Sequence, residues 1–233
     1  MTARSTPRPS GGNGAKAPGR PPMPGEVPDP VLDAALKLIA REGWRRLSLG
    51  QIARDADIPL AELYRYIRGK PALLSAFSRR IDLEVLAHAD EIDLHGTPRD
   101  RVFDVLMLRF EALEPYRDVV RVLRRELRRD PVALMTLARA GRRAFSWSME
   151  AAGLPSGGVS GAAQSRLLGY VFLRVLDVWL EDDPADLAHT MAALDRRLRR
   201  VERFLGGSAE EAGPPEADGP EEEPDAARSA GTA

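Results

Sequence analysis

Apolar residues in the first third of the chain recur at helical spacing, between residues that typically cap helices. Leu32, Leu36 and Ile39 lie on one face of a predicted helix, and Gly43 follows as its C-cap. Ser48 begins a second helix, because a serine followed three residues later by a glutamine forms a capping box. The pattern therefore predicts two helices separated by a short turn.

The next segment predicts a tight turn and two further helices. Asp57 marks the turn, because aspartate tolerates left-handed backbone geometry better than most residues. Pro59 suits the first turn of a third helix, which Leu63 anchors and Gly69 ends, and a fourth helix begins at residues 70–71. Two short helices across a tight turn are typical of a helix-turn-helix, whose second helix enters the major groove of DNA.

A second helical region follows a break near residue 96. Thr97 and Pro98 start its first helix as N-cap and first helical residue, and Pro115 separates that helix from the next. A further helix is predicted over residues 131–152 and a loop over residues 154–161. Residues 167–180 are apolar almost all round, which predicts a helix buried on more than one side.

The last predicted helix starts at residues 183–184 and carries a heptad-like apolar seam. Its apolar residues follow one another at alternating spacings of four and three: Leu187, Met191, Leu194, Leu198, Val201 and Leu205. Alternating strand patterns are absent between the two ends of the chain, so we expect an all-α fold.

Composition divides the chain into four parts. Residues 1–27 hold six prolines and five glycines and are basic, and residues 206–233 have eight acidic residues against one arginine. Segments with so few apolar residues cannot offset the entropy of ordering, so both are predicted to be disordered. The sharper alternative for the first tail is a basic arm that touches nucleic acid. The predicted domains are a basic tail (1–27), a helix-turn-helix domain (28–80), a helical ligand-binding and dimerisation domain (81–205) and an acidic tail (206–233).

Several classes of function are disfavoured by what the chain lacks. It has no cysteine, and no apolar run approaches the ~18 residues of a membrane helix. Its three histidines are scattered without metal-ligand spacing, and neither a glycine-rich phosphate loop nor a nucleophile elbow is present. We therefore expect a cytoplasmic protein that is not an enzyme, has no integral membrane segment and uses no cofactor.

The ordered residues of the first block resemble one known family. The run VLDAALKLIAREGWRRLSLGQIARDADIPLAELYRYIRGKPALL, residues 31–74, resembles the TetR family of bacterial one-component repressors. The resemblance implies a TetR-like fold, with an N-terminal helix-turn-helix head and a C-terminal helical domain that binds a small molecule and dimerises. It also implies a homodimer whose partners are double-stranded DNA and an apolar small molecule or lipid.

The same resemblance implies roles for residues of the head. Those matching positions that usually hold phosphates are Ser48, Tyr64, Tyr66 and Lys70. The candidate base contacts are Leu60, Ala61, Glu62 and Arg65, which follow Pro59 on the third helix. Residues 28–80 carry ten basic against six acidic residues, which favours binding to phosphates, although such charges are equally typical of a solvated surface.

The reading surface of this head is unusual. Base edges are commonly read by Arg, Lys, Asn, Gln, Ser or Thr, whereas Pro59, Leu60 and Ala61 offer only apolar contact, for instance to a thymine methyl group. Glu62 can accept from a cytosine amino group but repels phosphate.

The second half of the chain supports an alternative. The pieces DRVFDVLMLRFEALEPYRD and VWLEDDPADLAHTMAALDRRLRRVE resemble the TetR-fold lipid-binding proteins that assist ubiquinone biosynthesis. Trp179, Asp182, Asp186, Thr190 and Leu194 carry that resemblance. It implies an isoprenoid lipid as ligand and a head that no longer reads DNA.

Three sets of residues in the C-terminal domain have two interpretations each. Phe103, Phe110, Phe145, Trp147, Met149 and Phe172 either fill the core or line an apolar ligand pocket. The residues Leu187, Met191, Leu194, Leu198 and Val201 either pack internally or form the dimer interface. Asp182, Asp183 and Asp186 suggest either a metal cluster or, as we prefer, acids at a helix N-terminus, where the helix dipole favours them.

Overall fold

The computed structural model describes residues 26–206, and within that range it is built from α-helices without strands, which confirms the predicted all-α class. The two predicted disordered tails lie outside the described residues, apart from positions 26, 27 and 206. None of the helices in this range is both long and apolar enough to cross a bilayer. The helices are α1 (Asp29–Glu42), α2 (Leu49–Asp55), α3 (Leu60–Tyr66), α4 (Pro71–Ala87), α5 (Pro98–Leu113), α6 (Arg117–Glu126), α7 (Pro131–Ala151), α8 (Gly158–Trp179) and α9 (Ala188–Gly206).

The capping residues start and end these helices largely as the sequence predicts. Gly43 ends α1 with φ of 95° and donates its backbone N–H to the Ile39 carbonyl at 3.0 Å. Ser48 and Gln51 form the capping box of α2. Thr97 caps α5, accepting from the Asp100 backbone N–H, with Pro98 at the first helical position.

Three predicted helix boundaries are wrong. The third helix ends at Tyr66 instead of Gly69, because Ile67 already has an extended backbone. The loop predicted over residues 154–161 ends earlier, because α8 already starts at Gly158. The last helix starts at Ala188 instead of 183–184. Leu187 has φ of +50°, a left-handed conformation that interrupts helical geometry just before that start.

The chain divides into two compact units that differ from the predicted domains. Of the described residues, 26–78 and 118–137 form unit 1, and 79–117 and 138–206 form unit 2. The sequence-based division assigned all of residues 81–205 to one domain. In the structure, α6 and the first part of α7 instead group with the head.

The core of unit 1 comes from the faces of α1 to α4 that the apolar spacing marks. Its fully buried side chains include Leu38, Ile39, Trp44, Ile52, Leu63, Ile67, Leu73 and Leu74. Burying a side chain of this size stabilises the fold by about 1.5–3 kcal/mol relative to exposure. Tertiary burial therefore has to stabilise α2 and α3, since helices this short are marginal alone.

The core of unit 2 is formed by α5, α8 and α9, which pack against one another. The ring of Phe110 stacks on that of Phe172 with centroids 4.8 Å apart, and Phe145 and Trp179 extend the cluster. The prediction that residues 167–180 are buried on more than one side is wrong for the single chain. Tyr170 and Leu173 on α8 are 59% and 50% exposed.

Two buried polar pairs lie in unit 2: Arg109 with Asp82, and Asp182 with Thr190. Arg109 Nη1 lies 2.9 Å from Asp82 Oδ1, and both side chains are almost fully buried. The Asp182 carboxylate accepts from the backbone N–H of Thr190 at 2.6 Å and from its hydroxyl at 2.7 Å. Because Thr190 lies in the first turn of α9, the prediction that Asp182 serves a helix N-terminus is confirmed.

Candidate nucleic-acid interface

The turn between α2 and α3 is closed by local hydrogen bonds and one left-handed residue. The backbone N–H of Asp57 donates to the Arg54 carbonyl at 3.2 Å, and that of Ile58 donates to the Ala53 carbonyl at 3.0 Å. Asp57 has φ of +53°, as the sequence predicts for this turn. Pro59 is then the N-cap of α3, and its carbonyl accepts from the backbone N–H of Leu63. These contacts fix the angle between the two helices.

The outward face of α3 combines apolar side chains with one arginine. Leu63 faces the core, so residues 60, 61, 64 and 65 share the opposite side of a helix with 3.6 residues per turn. Leu60 is 56% exposed and Tyr64 is 79% exposed, and Ala61 and Arg65 are exposed as well. Three of the four predicted base contacts therefore lie on the face that a major groove would meet.

The fourth predicted base contact, Glu62, is turned toward a neighbour on its own helix. Its Oε1 accepts a hydrogen bond from the Tyr66 hydroxyl at 3.0 Å, and both side chains are only partly exposed. This hydrogen bond, together with burial, raises the pKa of Tyr66 above its usual value. Glu62 and Tyr66 therefore bind each other, beside the outward face of α3 rather than on it.

The residues predicted to contact phosphates differ in the hydrogen bonds that they already make within the head. Ser48 Oγ accepts in the capping box, which leaves its O–H as a donor, and the residue is exposed. Lys70 Nζ donates to the Trp44 carbonyl at 3.2 Å and lies 5.3 Å from the centre of the Trp44 ring. Ser48 and Tyr64 are thus exposed, whereas Tyr66 and Lys70 bind inside the head.

Basic residues of the head are displayed to solvent around the two short helices. Arg45 and Arg46 precede α2, Arg54 ends it, and Arg65 and Arg68 lie at and just beyond the end of α3. All five are exposed. Such charges supply the salt-dependent attraction to a phosphate backbone.

Two side chains that are distant in the sequence accept hydrogen bonds from the head, and the sequence pattern did not point to either of them. The buried Trp44 ring donates its Nε1–H to Asp130 Oδ2 at 3.0 Å, and the Arg45 backbone N–H donates to Glu126 Oε2 at 3.0 Å. A Cβ at Gly43 would lie 2.9 Å from the Glu126 carboxylate. A buried tryptophan predicts that its N–H needs an acceptor. A partner 86 residues away carries no signal in a single sequence.

We expect Asp130→Ala to destabilise unit 1 by about 1–3 kcal/mol, because the buried Trp44 N–H loses its acceptor. Asp130 Oδ1 also accepts from the Ala133 backbone N–H, and these two hydrogen bonds lower the pKa of Asp130. Urea unfolding followed by tryptophan fluorescence measures the loss. Asp118→Ala is the control, because that exposed acid pairs with Arg121 on the same helix, and equal losses in the two variants would contradict the assignment.

The residues predicted to line a ligand pocket have several environments in unit 2. Phe110, Phe145 and Phe172 pack ring against ring, and Met149 is fully buried. Trp147 is 52% exposed. Phe103 lines a groove of ≈ 360 Å³ together with Arg99, Asp100, Met191, Ala192, Asp195 and Leu198. Of the six predicted pocket residues, this groove is lined by Phe103 alone.

Most of the residues predicted to form the dimer interface are buried within the single chain. Leu187, Leu194 and Leu198 are buried in unit 2, because α9 turns this side toward α5 and α8. Val201 is half-buried, and Met191 is 39% exposed. The sequence pattern did not point to Tyr170 and Leu173, the exposed apolar residues of α8. An apolar seam on α9 does not by itself show which side of that helix packs against the rest of the chain.

Comparison with known proteins finds relatives of the head. Residues 31–77 match the family model described as bacterial regulatory proteins, tetR family. A helix-turn-helix transcriptional regulator of Haemophilus influenzae is 30% identical over 56 residues, which is 24% of this chain and 30% of that protein. The match thus spans less than a third of the relative's length. Both findings concern the helix-turn-helix head.

Solved structures extend the likeness to most of the chain as a likeness of fold. A TetR transcriptional regulator from Nitrosomonas europaea superposes with a TM-score of 0.59 at 24% identity, covering 75% of this chain and 96% of that one. A TetR transcriptional regulator from a Rhodococcus species gives a TM-score of 0.54 at 20% identity, covering 74% and 93%. Residues 31–77 thus match the TetR family, as the residues of the head predict, and the solved structures show that the chain has a TetR-like fold.

Proposed function

We propose that this protein is a homodimeric, cytoplasmic repressor that binds duplex DNA with α2 and α3 of each head and responds to an apolar small molecule. The observation that carries the proposal is the head itself. It combines a TetR-family sequence, a closed turn between α2 and α3, and an outward α3 face flanked by exposed arginines. The alternative of a lipid carrier in ubiquinone biosynthesis receives no support from the comparisons.

Dimerisation is supported by the exposed apolar residues of α8 and α9. Tyr170 and Leu173 on α8 and Met191 on α9 are too exposed for the core of a single chain, and exposed apolar side chains of this kind are typical of an interface. We therefore place the contact on these three residues rather than on the buried leucines of α9. A second copy brings a second head, which a two-fold symmetric operator requires.

The apolar ligand is supported by the aromatic cluster of unit 2. The Phe172 ring lies 4.8 Å from the Phe110 ring and 5.4 Å from the Phe145 ring, between centroids, and Phe103 lines a groove. Such clustered rings suit a hydrophobic molecule, and the buried Arg109 beside Phe145 adds one charged group.

We expect the purified protein to bind its own upstream DNA with a Kd on the order of 10⁻⁸ M or below at physiological salt, as specific regulators do. Arg65→Ala should weaken binding at least tenfold, because the substitution removes the one cation of the outward face. Fluorescence anisotropy over a salt series measures both the affinity and the number of phosphates neutralised.

The control for this experiment is Arg199→Ala, since Arg199 lies on α9 in unit 2 and pairs with Asp195. It should bind DNA as the parent protein does. A protein that forms dimers in sedimentation experiments but binds every duplex at one non-specific affinity would overturn the proposed function.

A further inference from the structure

The outward face of α3 offers DNA an apolar surface where direct readout usually requires hydrogen-bonding groups. Leu60, Ala61 and Tyr64 occupy it, and Arg65 is the single charged residue beside them. Leu60 and Tyr64 are four residues apart, so their side chains are neighbours on the helix surface. Together they form a continuous strip, which we call the apolar strip.

Glu62, the residue of α3 that could accept from a cytosine amino group, is less available to a base edge than the strip is. Its Oε1 already accepts from the Tyr66 hydroxyl at 3.0 Å. Glu62 and Tyr66 are both only partly exposed, whereas Leu60, Ala61 and Tyr64 are exposed. The strip is therefore left as the part of α3 that meets base edges.

One chemical group on a base edge is complementary to such a strip. In the major groove, thymine is the base that carries a methyl group, at C5, and apolar side chains contact it. Alanine and the ring of tyrosine suit the same contact, and the Tyr64 hydroxyl remains able to reach a phosphate. The surrounding arginines make a phosphate-lined groove a better occupant than an uncharged protein surface.

Resting on the proposed function, we propose that the apolar strip reads thymine C5-methyl groups, so that each operator half-site is specified by thymines, with Arg65 reading an adjacent guanine. Leu60 and Tyr64 are then specificity-determining residues, and Glu62 is not. Hydrophobic contact replaces most of the hydrogen bonds of ordinary direct readout.

The experiment removes the methyl groups one at a time. Duplexes are first selected from a random library with the full-length protein, and each thymine of a half-site is then replaced by deoxyuridine, which lacks only the C5-methyl group. At one or more positions Kd should rise about fourfold, the factor expected for one methyl-sized apolar group. Leu60→Ala and Tyr64→Ala should each make the thymine and deoxyuridine duplexes bind equally at one of these positions.

Matched variants separate the failure of this inference from that of the proposed function. Glu62→Gln should keep the full thymine preference, and circular dichroism checks that the exposed substitutions leave the helices intact. Selected duplexes that bind tightly but change Kd by less than twofold with every deoxyuridine would overturn methyl readout while leaving DNA binding established. If no duplex is selected, the proposed function fails and methyl readout fails with it.

Discussion

Arg109→Met is expected to lower the free energy of unfolding of unit 2 by about 3–5 kcal/mol, because it leaves the Asp82 carboxylate buried without its partner. The guanidinium also donates to Ser148 Oγ at 3.3 Å and lies 5.5 Å from the centre of the Phe145 ring. The side chain therefore joins α4, α5 and α7. Urea unfolding followed by circular dichroism measures the loss.

The Asp82 carboxyl makes this loss depend on pH. Burial raises the pKa of Asp82 above its usual value, and the charge of Arg109 opposes that rise. Without Arg109 the pKa rises further, so the folded variant takes up a proton at a higher pH than its unfolded chain. The destabilisation caused by the buried, unpaired carboxylate is fully present above the folded pKa of Asp82. It disappears as pH falls toward the unfolded pKa of about 3.9. The stability gap between the parent and the variant should thus narrow as the pH is lowered toward the unfolded pKa.

A second substitution tests whether charge is the cause. The double variant Asp82→Leu with Arg109→Met removes both partners, and we expect it to recover most of the stability, as apolar replacements of buried ion pairs often do. A double variant that is as unstable as Arg109→Met alone would show that packing around Arg109, not the stranded carboxylate, explains the loss.

Asp182→Ala is expected to destabilise unit 2 by roughly 2–4 kcal/mol, since the substitution strands donors that are buried at the start of α9. The carboxylate accepts from the backbone and hydroxyl of Thr190, from His189 Nδ1 at 2.9 Å and from the Asp183 backbone N–H at 3.0 Å. Its loss should unravel the start of α9, which hydrogen exchange of the first α9 amides detects.

The pKa of Asp182 is shifted in the opposite direction to that of Asp82, so the pH dependence of this second variant lies in a lower pH range. Burial alone would raise the pKa of Asp182, but the hydrogen bonds from Thr190, His189 and Asp183 outweigh burial and lower that pKa far below its usual value. The stabilisation is therefore complete above the unfolded pKa of about 3.9 and is lost as pH falls toward the folded value. The gap between parent and variant should stay constant from pH 8 to pH 5 and shrink below pH 4.

Asp183→Ala is the matched control for this variant. That exposed carboxylate accepts from the backbone N–H of Ala185 two residues away, so its removal should cost well under half as much. Equal losses for Asp182→Ala and Asp183→Ala would contradict the central role given to the buried acid.

Local patterns in the sequence predicted the head well. Gly43, Ser48, Asp57 and Pro98 act through backbone geometry and hydrogen bonds within a few residues, so their roles are visible without a fold. The apolar front of α3 was also visible, because helical spacing alone places residues 60, 61, 64 and 65 together. What spacing did not show is that Glu62 binds Tyr66 instead of facing outward.

The sequence by itself determined the helical class, the order and caps of most helices, and the family of residues 31–77, because each depends on neighbours along the chain. Only the tertiary structure decided which residues support the head and which side of α9 is covered. Asp130 and Glu126 reach Trp44 and Arg45 across more than 80 residues of sequence. Leu194 and Leu198 are buried because α5 and α8 lie on their side, which leaves Tyr170 and Leu173 exposed. Such pairings depend on how helices pack in space, and a periodic pattern in one helix does not specify its partner.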